Sequence, residues 1–157
     1  MPSASCSLHI ARPPAEVYAA LADRRARMRL LPDNFAGARL ATNAEAEAAD
    51  APGTRFAFTL HTDRGAYESV TELLSTDPSR TLVERTTDGE GNTYDTAWAV
   101  RGDGDGTLVT VETRYRVTGG VTGILLDRMF GRKAVGQGLL IELTKLKLRL
   151  EESSLAG

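Results

Sequence analysis

Hydrophobic and polar positions alternate along most of the chain between residues 35 and 117, as they do in antiparallel strands with one buried face. In TRFAFTLH, one face carries Phe56, Phe58 and Leu60. Segments rich in Gly, Pro, Asp and Asn separate such runs and mark turns. The pattern predicts about six antiparallel strands in this part of the chain. The inner faces of the two clearest later runs are Tyr94, Thr96, Trp98 and Val100, and Val109, Val111, Thr113, Tyr115 and Val117.

In one of these runs, YESVTELL, the sequence pattern does not show which face is buried. Val70 and Leu74 share a face with two glutamates, whereas Tyr67 shares the opposite face with Leu73. Either face can be the inner one on this pattern alone.

The N-terminal segment predicts one more strand and a short helix. In SCSLHIA, Cys6, Leu8 and Ile10 share one face, which is the alternation of a strand. In RPPAEVYAALADRRARM, the early proline and Glu16 suit the first turn of a helix, and the apolar positions fall on one face. The residue before Pro32 is disfavoured in a helix, so the helix ends there.

The last segment, LTKLKLRLEE, permits two interpretations. Leucine alternates with basic residues, as in a half-buried strand, yet Leu, Lys, Arg and Glu are strong helix formers. On a helical wheel the leucines fall on one narrow stripe, and Lys147 and Glu151 form an i,i+4 pair. We therefore favour a long helix, which Leu125 and Val135 extend upstream with Met129 near the edge of the stripe. The stripe consists of Leu139, Leu143, Leu146 and Leu150.

These elements predict an α+β fold in a single domain, residues 1–157. A curved antiparallel sheet of about seven strands wraps around one long C-terminal helix, with a short helical segment after the first strand. A curved sheet around one helix leaves a space between them, and small ligands bind in such spaces.

Composition narrows the function classes. A net charge of −2 and a pI near 5.7 give no reason to expect a nucleic-acid partner. The sequence contains no run of 18 apolar residues, so we expect no membrane insertion. Cys6 is the one cysteine, which excludes an internal disulfide and fits a reducing compartment. The N-terminal segment lacks the apolar core of a signal peptide, so we expect a cytoplasmic protein.

Several motifs together resemble a known superfamily. They are IARPPAEVYAALAD, VTELLSTDPSRTLVER, DGDGTLVTVETRY, LLPDNF and GGVTGILLDRMFGRKA. In their order and spacing the chain resembles the START-like helix-grip proteins (SRPBCC), and within them the bacterial polyketide cyclase/dehydrase and lipid-transport group. The resemblance implies the helix-grip fold. Since that superfamily includes lipid carriers, hormone receptors, cyclases and co-chaperones, it implies no single function and carries no shared catalytic motif.

The motifs of metal and cofactor chemistry are weak. His9 and His61 lie opposite the apolar positions of their strands, so we interpret them as solvent-facing, and we expect no metal and no cofactor. The segment GGVTG is not a dinucleotide-binding motif and is interpreted as a turn. In RGDGDG, Arg114 occupies the position where a calcium loop needs Glu, so this segment is interpreted as a hairpin turn.

Two further features have a structural and a functional interpretation. Arg24, Arg25, Arg27 and Arg29 could bind an anion at a pocket mouth, but a solvated helix face is the interpretation we favour. Cys6 shares its face with apolar residues and is expected to act as a small core side chain rather than a nucleophile.

Hydroxyl-bearing residues among aromatic ones suit a pocket for a mostly apolar ligand with a few oxygens, although a filled core remains an equal alternative. Gly131, Gly136 and Gly138 each weaken a helix, and the inward position of Gly136 leaves room for a ligand or for close packing. The predicted ligand-binding residues are Phe56, Phe58, Tyr67, Thr96, Trp98, Val111, Thr113, Tyr115, Leu125, Met129, Gly136, Leu139 and Leu143.

Three functions follow as hypotheses. The first is a cytoplasmic carrier or binding protein for a hydrophobic, lipid-like or polyketide-like small molecule, acting as a monomer or weak homodimer. The second is a cyclase or dehydratase in the same cavity, which needs an inward acid–base group. The candidates for that group are Glu84, Glu72, Tyr94 and Tyr115. The third is a protein-interaction module with a filled core, using the arginine cluster or the apolar pair Ile141 and Leu148.

Overall fold

The structure is a computed structural model that describes residues 2–41, 50–62, 65–118 and 131–156. The strands are β1 (Ser3–Ile10), β2 (Phe35–Leu40), β3 (Arg55–Thr62), β4 (Gly65–Asp77), β5 (Thr81–Asp88), β6 (Thr93–Asp103) and β7 (Gly106–Arg116). The helices are α1 (Pro14–Ala22), α2 (Arg24–Met28) and α3 (Arg132–Ala156). Leu125, Met129 and the GGVTG segment lie outside the described residues.

The seven strands form one antiparallel sheet in the order β1-β7-β6-β5-β4-β3-β2. Strands β2 to β7 follow one another as neighbours, and β1 pairs with β7. The RGDGDG segment joins β6 and β7 with Asp103 opposite Gly106, so the predicted hairpin turn is confirmed. The predicted α+β helix-grip architecture is confirmed as well.

The short helical segment consists of two helices that meet at Asp23. Pro14 lies in the first turn of α1, and the Asp23 carboxylate caps α2 by accepting from the Arg25 backbone N–H at 2.9 Å. Val17 and Leu21 are fully buried against the core. This packing fixes where the side chains of α2 point.

The C-terminal segment is a helix, and its strand interpretation is wrong. Leu139, Leu143 and Leu146 are buried and Leu150 packs against the same cluster, as the wheel predicted. The Lys147 Nζ donates to Glu151 Oε1 at 2.7 Å, which confirms the predicted i,i+4 pair.

The inner face of the sheet follows the predicted alternation. In β4 the ambiguity is resolved in favour of the Tyr67 face: Ser69, Thr71 and Leu73 are buried, whereas Val70 is exposed. The main core cluster joins this face to α1 and α3 through Trp98, Val109 and Val111, among others. In the described part of the chain, none of the helices has the length and hydropathy of a membrane span.

Candidate functional site

A cavity of about 470 Å³ lies between the inner face of the sheet and the N-terminal part of α3. This volume falls within the range of roughly 300–1,000 Å³ that is typical of small-molecule sites. One end is bordered by the segment after α2, which contributes Leu31, Pro32 and Asn34. The cavity therefore has walls from the sheet, from α3 and from the connection between α2 and β2.

The sheet wall of the cavity carries two pairs of threonine hydroxyls. Thr71 and Thr86 face each other across β4 and β5, and their hydroxyl oxygens are 2.7 Å apart. Thr96 and Thr113 do the same across β6 and β7, also at 2.7 Å. Each pair is already hydrogen-bonded, so these four hydroxyls make the wall polar and are satisfied within it.

The end of the cavity beside Leu31 is apolar. Phe35 and Phe58 stack with ring centroids 4.9 Å apart, and Leu31 and Leu60 pack in the same small hydrophobic cluster. On α3, Leu139 contributes a further apolar surface. A ligand here would meet aromatic and aliphatic groups over most of its length and hydroxyls along one side.

Two arginines of α2 point inward, so the solvated-face interpretation of the arginine cluster is wrong for them. Arg24 is 0% and Arg27 3% exposed, whereas Arg25 and Arg29 are exposed. Both buried arginines bind Glu84 on β5: Arg24 Nη1 donates to Oε2 at 2.7 Å and Arg27 Nη2 to Oε1 at 2.6 Å. Burial is tolerated because the charges are paired and hydrogen-bonded.

Aromatic side chains support this buried pair of arginines. The Arg24 guanidinium lies 5.6 Å from the centroid of the Phe56 ring, and that of Arg27 lies 5.0 Å from the Trp98 ring. The Trp98 indole N–H also donates to Glu84 Oε1 at 3.2 Å. Phe56 and Trp98, predicted as ligand-binding residues, do not line this cavity because their rings lie against the arginines.

Glu84 was one of the candidate acid–base groups, and its environment argues against that role. Burial by itself would raise the pKa of Glu84, but the charges and hydrogen bonds of Arg27 and Arg24 outweigh it and lower the pKa to about 2. A carboxylate held ionised in this way is a poor general acid or base at neutral pH. Glu84 is instead the anchor of the two arginines.

Glu142 on α3 is the acid–base candidate that the sequence hypotheses missed. It is 6% exposed and lines the cavity, and Arg27 Nη2 donates to its two oxygens at 3.3 Å each. Burial raises the pKa of Glu142 to about 7; Arg27 offsets part of this rise and the charge of Glu84 adds to it. The signal was present in the helical wheel, since Glu142 lies only about 70° from the centre of the leucine stripe.

Eleven of the thirteen predicted ligand-binding residues lie in the described part of the chain, and four of these line the cavity: Phe58, Thr96, Thr113 and Leu139. Val111 and Leu143 are fully buried in the main core cluster instead. Tyr115 is buried beside the Tyr94 ring, with centroids 6.0 Å apart, and it is Tyr94 that reaches the cavity. Tyr67 is half-buried on β4 and is not in this lining.

The glycines that leave space for the cavity at the N-terminal end of α3 are not the predicted Gly136. Gly131 and Gly138 line the cavity, whereas Gly136 does not. The lining positions Gly131, Gly138 and Glu142 lie about a quarter turn from the leucine stripe, on the side away from Gly136. A Cβ placed on Gly138 meets no atom within 4 Å in the described part of the chain.

The remaining candidates lie outside the cavity. His9 and His61 are exposed, and Glu72 lies beside Arg55 at 3.8 Å with its side chain 39% exposed. Cys6 packs against the core, and burial, with Glu142 nearby, raises its thiol pKa. Across residues 2–41, 50–62, 65–118 and 131–156, no group of three His, Cys, Asp or Glu side chains is placed to hold a metal ion.

The sheet, the helix it encloses and the cavity between them define a helix-grip protein. The sequence profile of the family described as "Polyketide cyclase / dehydrase and lipid transport" matches residues 1–151. The chain belongs to this family.

Solved structures show the same fold. KanY is 22% identical over 96% of this chain and 97% of its own, with a TM-score of 0.76. TTHA0849 from Thermus thermophilus is 21% identical over 98% of this chain and 99% of its own, with a TM-score of 0.74. DynU16, a protein of the dynemicin biosynthetic locus, is 19% identical over 95% of this chain and 47% of its own, with a TM-score of 0.58. Among curated proteins, no sequence matches this chain.

Proposed function

We propose that this protein binds and carries a mostly apolar small molecule with a few oxygen atoms in the cavity beneath α3. The observation that carries the proposal is the lining itself: stacked Phe35 and Phe58 at one end, and paired threonine hydroxyls along the sheet. Such a lining excludes water from the apolar part of a ligand and orients its oxygens. Membership of a family that includes polyketide cyclases and lipid-transport proteins supports the same ligand class.

The direct test is native mass spectrometry of the protein purified from its own host, looking for a bound small molecule. Gly138→Trp places an indole ring inside the cavity and should strongly reduce the amount of bound ligand, while replacing a glycine in a helix interior favours the helix by roughly 0.5 kcal/mol. Leu140→Trp is the matched control, because Leu140 is 50% exposed on the same helix. Equal amounts of ligand in both variants would contradict the proposal.

A cyclase or dehydratase is the second candidate, and Glu142 is the observation that favours it. A carboxyl group with a pKa of about 7 in the cavity wall can accept and donate protons at neutral pH. Tyr94 also reaches the cavity. An interaction module with a filled core would contain no such space, so we do not favour that alternative.

A carrier and a dehydratase are distinguished by the mass of the bound molecule. A carrier should hold the same molecule in the native protein and in Glu142→Gln, because no chemistry occurs. A dehydratase should accumulate unconverted substrate in Glu142→Gln, and this substrate is heavier than the product by one water. The comparison uses the same native mass spectra and does not require the ligand to be identified first.

A further inference from the structure

The Arg27 guanidinium has two edges that are occupied very differently. Its Nε–Nη2 edge binds Glu84 Oε1 at 3.2 and 2.6 Å, which is a tight charged pair. Its Nη1–Nη2 edge faces Glu142, but only Nη2 reaches that carboxylate, at 3.3 Å to each oxygen. Nη1 is buried without a hydrogen-bond partner in the part of the chain that the structure describes. The Nη1–Nη2 edge therefore makes only two long hydrogen bonds, both through Nη2.

Glu142 is held loosely for a buried carboxylate. In the described elements packed around it, the charged or titratable groups are Arg27 on α2, Glu84 on β5, Cys6 on β1 and, on α3 itself, Lys145. Arg27 is the nearest cation, and it is shared with Glu84, while the Lys145 ammonium is engaged by the Leu31 carbonyl at 2.7 Å and by Asp33 at 3.1 Å. Glu142 therefore lacks a cation of its own.

Charge balance shows what a ligand could do here. Arg24 and Arg27 carry two positive charges and Glu84 one negative charge, so an ionised Glu142 makes the cluster neutral. If Glu142 takes up a proton, one positive charge is left uncompensated beside the cavity. A buried uncompensated charge is costly, and an anion arriving from the cavity would remove that cost.

We propose that the ligand carries a carboxylate, that this group replaces the Glu142 carboxylate at the Nη1–Nη2 edge of Arg27, and that Glu142 takes up one proton from solvent as the ligand binds. This inference rests on the proposed binding function and specifies its ligand class. A ligand carboxylate can accept from Nη1 and Nη2 as a parallel pair, which Glu142 does not achieve. No covalent bond forms or breaks, and the charge of the cluster with its ligand stays neutral.

The test uses a matched pair of probes, 2-naphthoate and its neutral isostere 2-naphthamide, in isothermal titration calorimetry. At pH 6 the native protein should bind 2-naphthoate at least tenfold more tightly than 2-naphthamide. At pH 8 Glu142 is ionised in the free protein, so binding should take up about one proton, measured as a dependence of the heat on buffer ionisation enthalpy. The affinity should fall about tenfold from pH 6 to pH 8 and change little below pH 6.

Glu142→Gln provides the decisive variant because its expected effect is a gain. It removes the competing carboxylate, so 2-naphthoate should bind about tenfold more tightly than it binds the native protein at pH 8, without proton uptake. A misfolded variant could not gain affinity. Glu152→Gln is the control, since Glu152 is exposed on the same helix, and it should behave as the native protein does.

The outcomes separate the inference from the proposed function. Equal binding of the two probes, binding of 2-naphthoate without proton uptake at pH 8, or an unchanged affinity in Glu142→Gln overturns the inference but leaves a binding cavity. Failure of both probes to bind the native protein and Glu142→Gln, together with no bound mass in the protein from its own host, overturns both.

Discussion

Two regions beneath the sheet face the same helix and are filled in different ways. From Leu143 onward, α3 places leucines into the main core cluster, where Leu143, Leu146 and Val111 are all 0% exposed. Up to Glu142, the same helix presents glycines and a carboxylate besides Leu139, which belongs to the core cluster and also lines the cavity, and a space of about 470 Å³ remains. The sheet opposite is continuous across both regions. The difference therefore arises from the side chains of α3 and the inward arginines rather than from the backbone fold.

The comparison shows which residues maintain the fold and which are available for binding. The core region is filled by aliphatic side chains such as Leu143, Leu146 and Val111, whereas the cavity region is bordered by the buried charges of Arg24, Arg27 and Glu84. Those charges hold α2 against β5 and leave Glu142 only partly satisfied. Substitutions in the core region and in the cavity region should therefore have different effects on stability and on ligand binding.

The largest effect on stability is expected from Glu84→Gln. Removing this carboxylate leaves two buried arginines without their shared anion, which should lower the free energy of unfolding by about 3–5 kcal/mol. Urea denaturation measures the loss. Asp95→Asn is the control: its pair with Arg85 is half-exposed, so its loss should stay below about 1 kcal/mol. Similar losses in the two variants would mean that the buried cluster does not hold α2 in place.

The next largest effect is a change of stability with pH, which arises from the protonation of Glu142. Its pKa is about 7 in the folded protein and 4.5 as the ordinary value, so the folded state binds more protons than the unfolded state between these pH values. The contribution of Glu142 to stability is therefore lost as pH rises from 4.5 to 7, by about 3 kcal/mol. Glu84, with a pKa of about 2, stays ionised throughout this window.

Unfolding free energies of the native protein and Glu142→Gln, measured from pH 4.5 to pH 8, check this expectation. The difference between them should grow with pH in favour of the variant and level off above pH 7. Parallel curves would show that Glu142 titrates at its ordinary pKa and does not feel the burial described above.

Truncating one leucine in each region compares the two regions directly. Leu143→Ala opens a new cavity in the packed core and should cost about 3 kcal/mol. Leu139→Ala only enlarges an existing space, because Leu139 already lines the cavity, and should cost about 1–2 kcal/mol. Denaturant midpoints with unchanged m-values measure both. Equal costs would indicate that the cavity is collapsed in solution.

The smallest effect is a gain in stability from Gly138→Ala. Alanine is favoured over glycine in a helix interior by about 1 kcal/mol, and its Cβ meets no atom within 4 Å in the residues that the structure describes. Gly37→Ala is the contrasting variant, since Gly37 has a φ of +66° that alanine adopts only with strain, and it should be destabilised. Thermal midpoints of the two variants should move in opposite directions.

The features that could be predicted from the sequence are those that depend on local periodicity, namely the strands and the long helix. Alternation in the strands and the leucine stripe of α3 are consequences of the backbone geometry, so the fold followed from them. The burial of Arg24 and Arg27 did not follow, because their partner Glu84 is 60 and 57 residues away in the chain. Phe56 and Trp98 were assigned to the ligand for the same reason: their arginine neighbours are known only from the tertiary structure.

The most direct test of the cavity is a ¹H–¹⁵N NMR titration with 2-naphthoate at pH 6, where Glu142 is mostly protonated. Saturable shifts should be concentrated at cavity residues such as Phe58, Thr96 and Leu139, and should be small at the core residues Val111 and Leu146. Shifts centred instead on the exposed face of α3 around Leu148, or no saturable shifts at all, would contradict a ligand site beneath the helix.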